Sequence, residues 1–171
     1  ICWARQLGKT IGGAILLVWL CWYNKMPVTI VSITIWYVVS RDDETAVEFL
    51  EKIRLLLWDG DRHMAKYSEI DNFFTGSLKE PNNTHQLTFL NNCFIKSIPP
   101  TKKALGKSAS GLWIDEAHRL NCLDIDSDTF FDYASAMVAE TGGAIVLSSS
   151  PEGIIGFFHR AIDPNKQYPE N

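Results

Sequence analysis

Apolar residues along this chain fall into blocks whose period changes from helical to extended and back. From Thr10 to Tyr23 the chain is apolar nearly all round, with Gly12, Gly13 and Ala14 early and Ile15-Leu16-Leu17-Val18-Trp19-Leu20 after. Asn24-Lys25 closes that run well short of the roughly 20 apolar residues that a membrane span needs, so it predicts a buried helix. Pro27 to Ser40 is rich in Val, Ile, Thr, Trp and Tyr without a charge, the signature of a strand covered on both faces. Asp42, Asp43 and Glu44 then suit the first turn of a helix in which Ala46, Val47, Leu50, Ile53, Leu56 and Leu57 recur at helical spacing. Residues 59–84 carry many charges, Gly76, Pro81 and Asn82-Asn83, and read as a connection with a short helix near 62–69. Two β-like runs, 86–90 and 94–98, flank Asn91-Asn92 as a hairpin would. Short apolar runs at 112–114 and 144–147 read as further buried strands. Phe130–Glu140, ended by Gly142-Gly143, reads as a helix, and a last helix is expected over 153–161. Strands alternating with helices predict a right-handed α/β winding around a mostly parallel sheet, with the hairpin as an insertion.

Length and composition set only broad bounds on this picture. With 171 residues, 46% hydrophobic and 21% charged, the chain matches one α/β domain, expected over 1–162, followed by a polar tail over 163–171. A net charge of −4 excludes a polycation, so any nucleic-acid contact must come from a local basic patch or another domain. Lys102, Lys103 and Lys107 form the densest such cluster, for which a solvated loop is the plainer reading. Cys2, Cys21, Cys93 and Cys122 form no C-x-x-C pair and fit free thiols of a reducing compartment.

Candidate chemistry changes the picture more. Gly8-Lys9-Thr10 is the end of a phosphate-binding loop, in which backbone N–H groups cradle phosphates, Lys9 reaches the β and γ oxygens and the Thr10 hydroxyl faces Mg²⁺. Trp3 occupies the place of the loop's usual first glycine. Because such a loop normally follows a buried strand, the chain reads as a piece beginning inside its first strand. Arg5, within the loop, is placed to offset γ-phosphate charge in the transition state. Asp115 follows the apolar run Leu112-Trp113-Ile114 and is therefore expected at the carboxyl edge of the sheet, where α/β folds bind ligands. There it would hold Mg²⁺, with Glu116 activating water. Ser148, Ser149 and Ser150 end the next strand, where hydroxyls can sense a γ-phosphate and relay its presence. These motifs together predict a three-layer α/β P-loop NTPase fold.

The combination resembles the ATPase domain of the large terminase subunit of tailed viruses, a motor that packages DNA into procapsids. Ala4-Arg5-Gln6-Leu7-Gly8-Lys9-Thr10 is similar to that family's deviant phosphate loop, and Leu112–Glu116 to its acidic motif. Ser148-Ser149-Ser150-Pro151-Glu152-Gly153, followed by Phe157-Phe158, is similar to its coupling motif. The resemblance implies ATP as substrate, bound by Arg5, Gln6, Leu7, Gly8, Lys9 and Thr10, and Mg²⁺ held by Thr10 and Asp115. It implies Glu116 and Arg5 as catalytic residues and Ser148–Ser150 as the coupling element. Double-stranded DNA, a portal protein and a small terminase subunit would be partners of a homo-oligomeric ring in the cytoplasm of an infected or provirus-carrying cell, neither secreted nor in a membrane. The family's adenine-binding segment and nuclease domain have no counterpart here, so no DNA cleavage is expected. Two other readings stay open. Asp115-Glu116-Ala117-His118 spells the acidic string of a superfamily-2 helicase core, and a phosphate-loop scaffold could bind partners without hydrolysis.

Overall fold

In a computed structural model, the structure describes residues 8–23, 34–57, 83–89, 93–120 and 124–150, together with 158 and 161. In chain order these form helix α1 (Lys9–Tyr23), strand β1 (Thr34–Val39), helix α2 (Asp43–Leu57), strands β2 (Gln86–Thr88), β3 (Cys93–Ser97) and β4 (Gly111–Ile114), a short 3₁₀ turn (Ala117–Arg119), helix α3 (Ser127–Ala139) and strand β5 (Ala144–Leu147). The strands make one five-stranded sheet in the order β2-β3-β1-β4-β5. Strand β1 pairs in parallel with β3 and β4, and β4 in parallel with β5; β2 alone runs antiparallel, against β3. The molecule is thus a mixed α/β fold with a mostly parallel sheet flanked by helices. Among the described residues, no helix is long and apolar enough to cross a membrane.

Period-2 alternation along the strands divides the interior into two cores. Trp36, Val38, Ile95 and Trp113 point to one face and pack with Ala14, Leu17 and Cys21 of α1 and Phe49, Leu50, Ile53 and Leu57 of α2. Tyr37, Val39, Leu112 and Ile114 point to the other and pack with Phe130, Ala134, Met137 and Val138 of α3, and with Phe158. Each fully buried large side chain contributes about 1.5–3 kcal/mol. On α2 the buried residues follow helical spacing, so Ile53→Asp would put an unpaired charge into the first core. Helix α2 starts where Asp42 accepts from the Thr45 N–H at 2.8 Å. Its Arg54 donates to the carbonyls of Asn83 at 2.7 Å and Thr84 at 3.2 Å, which ties the helix to the start of β2.

Several elements depart from the sequence reading. The hairpin is built into the sheet rather than inserted beside it, because β3 forms a parallel ladder with β1. Its strands span 86–88 and 93–97, and Asn91-Asn92 lie outside the described residues. Helix α3 begins three residues before Phe130: the Asp126 carboxylate caps it, accepting from the N–H groups of Asp128 at 3.0 Å and Thr129 at 2.9 Å. Helix α1 is not buried all round. Ala14, Leu17 and Cys21 are inaccessible, whereas Ile11, Ile15 and Trp19, on the opposite side at i, i+4 and i+8, are about half exposed. Residues 27–33 of the first strand, the 59–82 connection with its short helix, most of the 153–161 helix and the 163–171 tail lie outside the described residues.

Candidate functional site

The strands β1, β4 and β5 run the same way, so their carboxyl ends lie along one edge of the sheet. The ladder carries past the strands themselves: Asp115 N–H donates to the Val39 carbonyl at 2.8 Å and Ser148 N–H to the Ile114 carbonyl at 2.9 Å. The chain leaves β4 into Asp115-Glu116 and leaves β5 into Ser148-Ser149-Ser150 side by side. A further bond, Ala117 N–H to the Ser148 carbonyl at 3.1 Å, holds the two exits together. Helix α1 starts beside them. Gly8 has φ +67°, a conformation that side chains rarely adopt, and a Cβ there would meet nothing within 4 Å. The first turn of α1 carries no acidic residue of its own to offset its N-terminal N–H groups.

The three serines each engage a different part of this edge. Ser148 donates its hydroxyl to the Asp115 carboxylate. Ser149 Oγ meets His118 Nδ1 and accepts the His118 N–H at 3.1 Å. Ser150 Oγ accepts from Lys9 Nζ at 2.7 Å, across 141 positions of sequence. All three serines are buried, as is Asp115, which is only 3% exposed. Burial pushes the Asp115 carboxyl above its ordinary value, against the opposing pull of the Ser148 hydroxyl, the Glu116 N–H and the Lys9 charge. The buried Asp115 carboxylate at the strand exit and the half-buried Thr10 hydroxyl in the first turn of α1 are hard oxygen donors of the kind that Mg²⁺ takes. Among the described residues no group of three or more His, Cys, Asp or Glu side chains could hold a metal.

Glu116 stands out in its backbone. At φ 48° and ψ 40° it is left-handed, the one such non-glycine among the described residues. A non-glycine residue there costs on the order of 1–3 kcal/mol and persists where surrounding contacts impose it. Here Arg119 N–H donates to the Glu116 carbonyl at 2.7 Å, and the next N–H, of Ala117, is held by Ser148.

The structure therefore gathers Gly8, Lys9, Asp115, Glu116, Ser148, Ser149 and Ser150 at one edge, with Thr10 in the first turn of α1. Arg5, Gln6 and Leu7 lie outside the described residues. Two residues to which the sequence reading gave no role of their own share the edge. Arg41 follows β1 and is half exposed, donating to Asp42 at 2.8 Å and to Thr45 Oγ at 3.3 Å. Beyond its Asp42 partner it senses the charges of Glu116 and Arg119. Its position directly after a buried strand was the available signal. His118 was likewise noted only as part of a string, although its contact with Ser149 links the two strand exits. A small cavity lined by Lys9, Gly12, Gly13, Leu16, Trp113, Val146, Leu147, Ser148 and Ser149 lies beneath this edge, between α1 and the sheet.

No family model matches the chain, and no curated protein matches it either.

Proposed function

We propose that this chain is the Mg²⁺-dependent ATPase core of a terminase-like motor that drives double-stranded DNA, built on a P-loop NTPase fold. The observation that carries the reading is the contact of Lys9 with Ser150, at an edge where Ser148 also binds Asp115. These two bonds bring three motifs distant in sequence together at one sheet edge, which supports assigning them phosphate, metal and water-activating roles. In this reading Gly8 and the first N–H groups of α1 cradle the phosphates, and Lys9 exchanges Ser150 for the γ-phosphate oxygens. Thr10 and Asp115 would hold Mg²⁺, which when bound neutralises charge on the β- and γ-phosphates. Glu116 accepts the proton of the attacking water, and Arg5 offsets charge that develops on the transferred group. Loss of the Lys9–Ser150 bond on nucleotide binding frees Ser150, and Ser149 passes that change to His118.

Glu116→Gln keeps the shape of the side chain and removes the base. Turnover should fall by about 10²–10⁴ while nucleotide binding persists; turnover within a fewfold of wild type would remove Glu116 from this role. The contact between His118 and Ser149 also suits a superfamily-2 helicase core, in which case single strands or RNA, and not duplex DNA, would raise turnover.

A further inference from the structure

We infer that Ser40, at the exit of β1, is a further positioning residue of this edge, whose hydroxyl orients a water of the Mg²⁺ shell beside Asp115. The inference rests on the Mg²⁺ reading above and adds a side chain from a strand that so far contributes none to it. Ser40 is 0% exposed, and its Oγ finds no hydrogen-bond partner among the described residues. The other four buried serines each have one: Ser97 Oγ meets His85 Nδ1 at 3.0 Å, and Ser148, Ser149 and Ser150 engage Asp115, His118 and Lys9. A hydroxyl can donate once and accept twice, and leaving it unpaired at this depth costs the fold free energy. Alanine would fill the same space without that cost. Trp36 Nε1, Trp113 Nε1 and Asp43 Oδ1 are unpaired too, but the indoles lie inside the first core and Asp43 has His85 Nδ1 3.9 Å away.

Strand register gives the Ser40 hydroxyl its place. Strands β1 and β4 pair Val38 with Trp113 and Val39 with Ile114, and the bond from Asp115 N–H to the Val39 carbonyl carries the ladder on. Ser40 therefore stands opposite Asp115. Val38 and Trp113 both belong to the first core, and alternation puts Ser40 and Asp115, two residues further along, on that same face. Helix α1 packs on this face, and the charge of Lys9 at its start acts on Asp115. The following pair agrees with this register, since Arg41 senses the charge of Glu116. Neighbouring strands stand about 4.8 Å apart, so side chains that face alike across them can share a water where no direct bond forms. Mg²⁺ held by one or two protein ligands keeps several of its waters, and these need acceptors to orient them. Asp115 Oδ1 already accepts from Ser148, whereas Ser40 Oγ has both its acceptor places open.

The test is binding of Mn²⁺, standing in for Mg²⁺, to the full chain with a non-hydrolysable ATP analogue, read by electron paramagnetic resonance. Ser40→Ala should weaken Mn²⁺ affinity by about 10–100-fold. Ser40→Thr, which keeps the hydroxyl, should stay within a fewfold of wild type. Urea unfolding without metal or nucleotide should find Ser40→Ala at least as stable as wild type, because only an unpaired group is removed. Asp115→Asn reports on the metal site itself and should lose Mn²⁺. If Ser40→Ala binds Mn²⁺ like wild type while Asp115→Asn does not, the inference is overturned and the Mg²⁺ reading stands. A lower urea midpoint for Ser40→Ala would also overturn it, because the hydroxyl would then be holding the fold. Mn²⁺ binding that is indifferent to Asp115→Asn, or absent from wild type, would overturn the inference and the Mg²⁺ reading together. Binding that depends on Ser40 and Asp115 while turnover is indifferent to Lys9 would keep the site and fail the ATPase reading.

Discussion

Replacing Gly13 by Ala opposes two effects of known size. In an exposed helix the change would stabilise by about 1 kcal/mol, because glycine loses more backbone freedom on folding. In α1, however, the new Cβ would stand 2.5 Å from Cζ2 of Trp113, 3.1 Å from Cη2 and 3.3 Å from Cε2. The shortest is about 1 Å inside ordinary carbon–carbon contact. Trp113 is 2% exposed and its ring packs on Phe49 with centroids 5.7 Å apart, so the small cavity that it lines with Gly13 gives it little room to swing aside. Overpacking of this kind costs about 1–3 kcal/mol, so the net expectation is a loss of up to about 2 kcal/mol. If α1 yields instead, Lys9 shifts by about 1 Å and leaves its 2.7 Å contact with Ser150. If the chain is the ATPase proposed above, a displacement of that size near its reacting groups can reduce turnover by about 10²-fold. Urea unfolding and ATP turnover of Gly13→Ala measure both arms. A variant more stable than wild type by about 1 kcal/mol, with turnover unchanged, would refute the packing of α1 on Trp113 and the reasoning built on it.

Other consequences are simpler. Asp115 has its carboxyl raised above 3.8 by burial, so the folded state binds more protons than the unfolded state between 3.8 and the raised value. Its contribution therefore favours the fold at low pH and is lost as pH rises. Asp115→Asn should accordingly unfold at a higher temperature than wild type at neutral pH without Mg²⁺, with the gap closing as the pH falls toward 3.8; equal midpoints at neutral pH would contradict this. Asp42, held down to about 2 by the Thr45 hydroxyl and N–H and by Arg41, has the opposite sign. Its stabilisation is complete above 3.8 and lost as pH falls toward 2, and Asp42→Ala should cost about 1 kcal/mol at neutral pH by denaturant titration, where no change would deny it a capping role.

How much of this was legible in the sequence depends on the range of the interactions concerned. The short apolar run that became β4 was readable because a strand buried on both faces needs continuous apolar residues, and its end therefore located Asp115. Strand β5 was found by the same rule and its end located Ser148, but it stands last in the sheet order and is only partly covered, with Ala144 exposed, so the expectation of a buried strand fails there. Helix α2 was readable from its spacing and its acidic first turn. The start of α3 was missed although its signal was local, an Asp cap three residues before Thr129. The place of β3 beside β1 was not readable, since strand pairing is decided by tertiary contacts. The exposed side of α1 was hidden by the same cause: an apolar helix reads alike whether one face or all of it is covered. The serine run was recognisable as a strand exit, but its division among Asp115, His118 and Lys9 exists only once three segments meet. The left-handed backbone of Glu116 had no signal in the residue itself, because a glutamate gives no reason to expect it.

The most direct test of the central claim is ATP turnover with Mg²⁺ by wild type and Lys9→Ala, each alone and with duplex DNA, single-stranded DNA or RNA. The account predicts turnover that requires Lys9 and rises with duplex DNA. Turnover that is indifferent to Lys9, or that rises only with single strands or RNA, would contradict it.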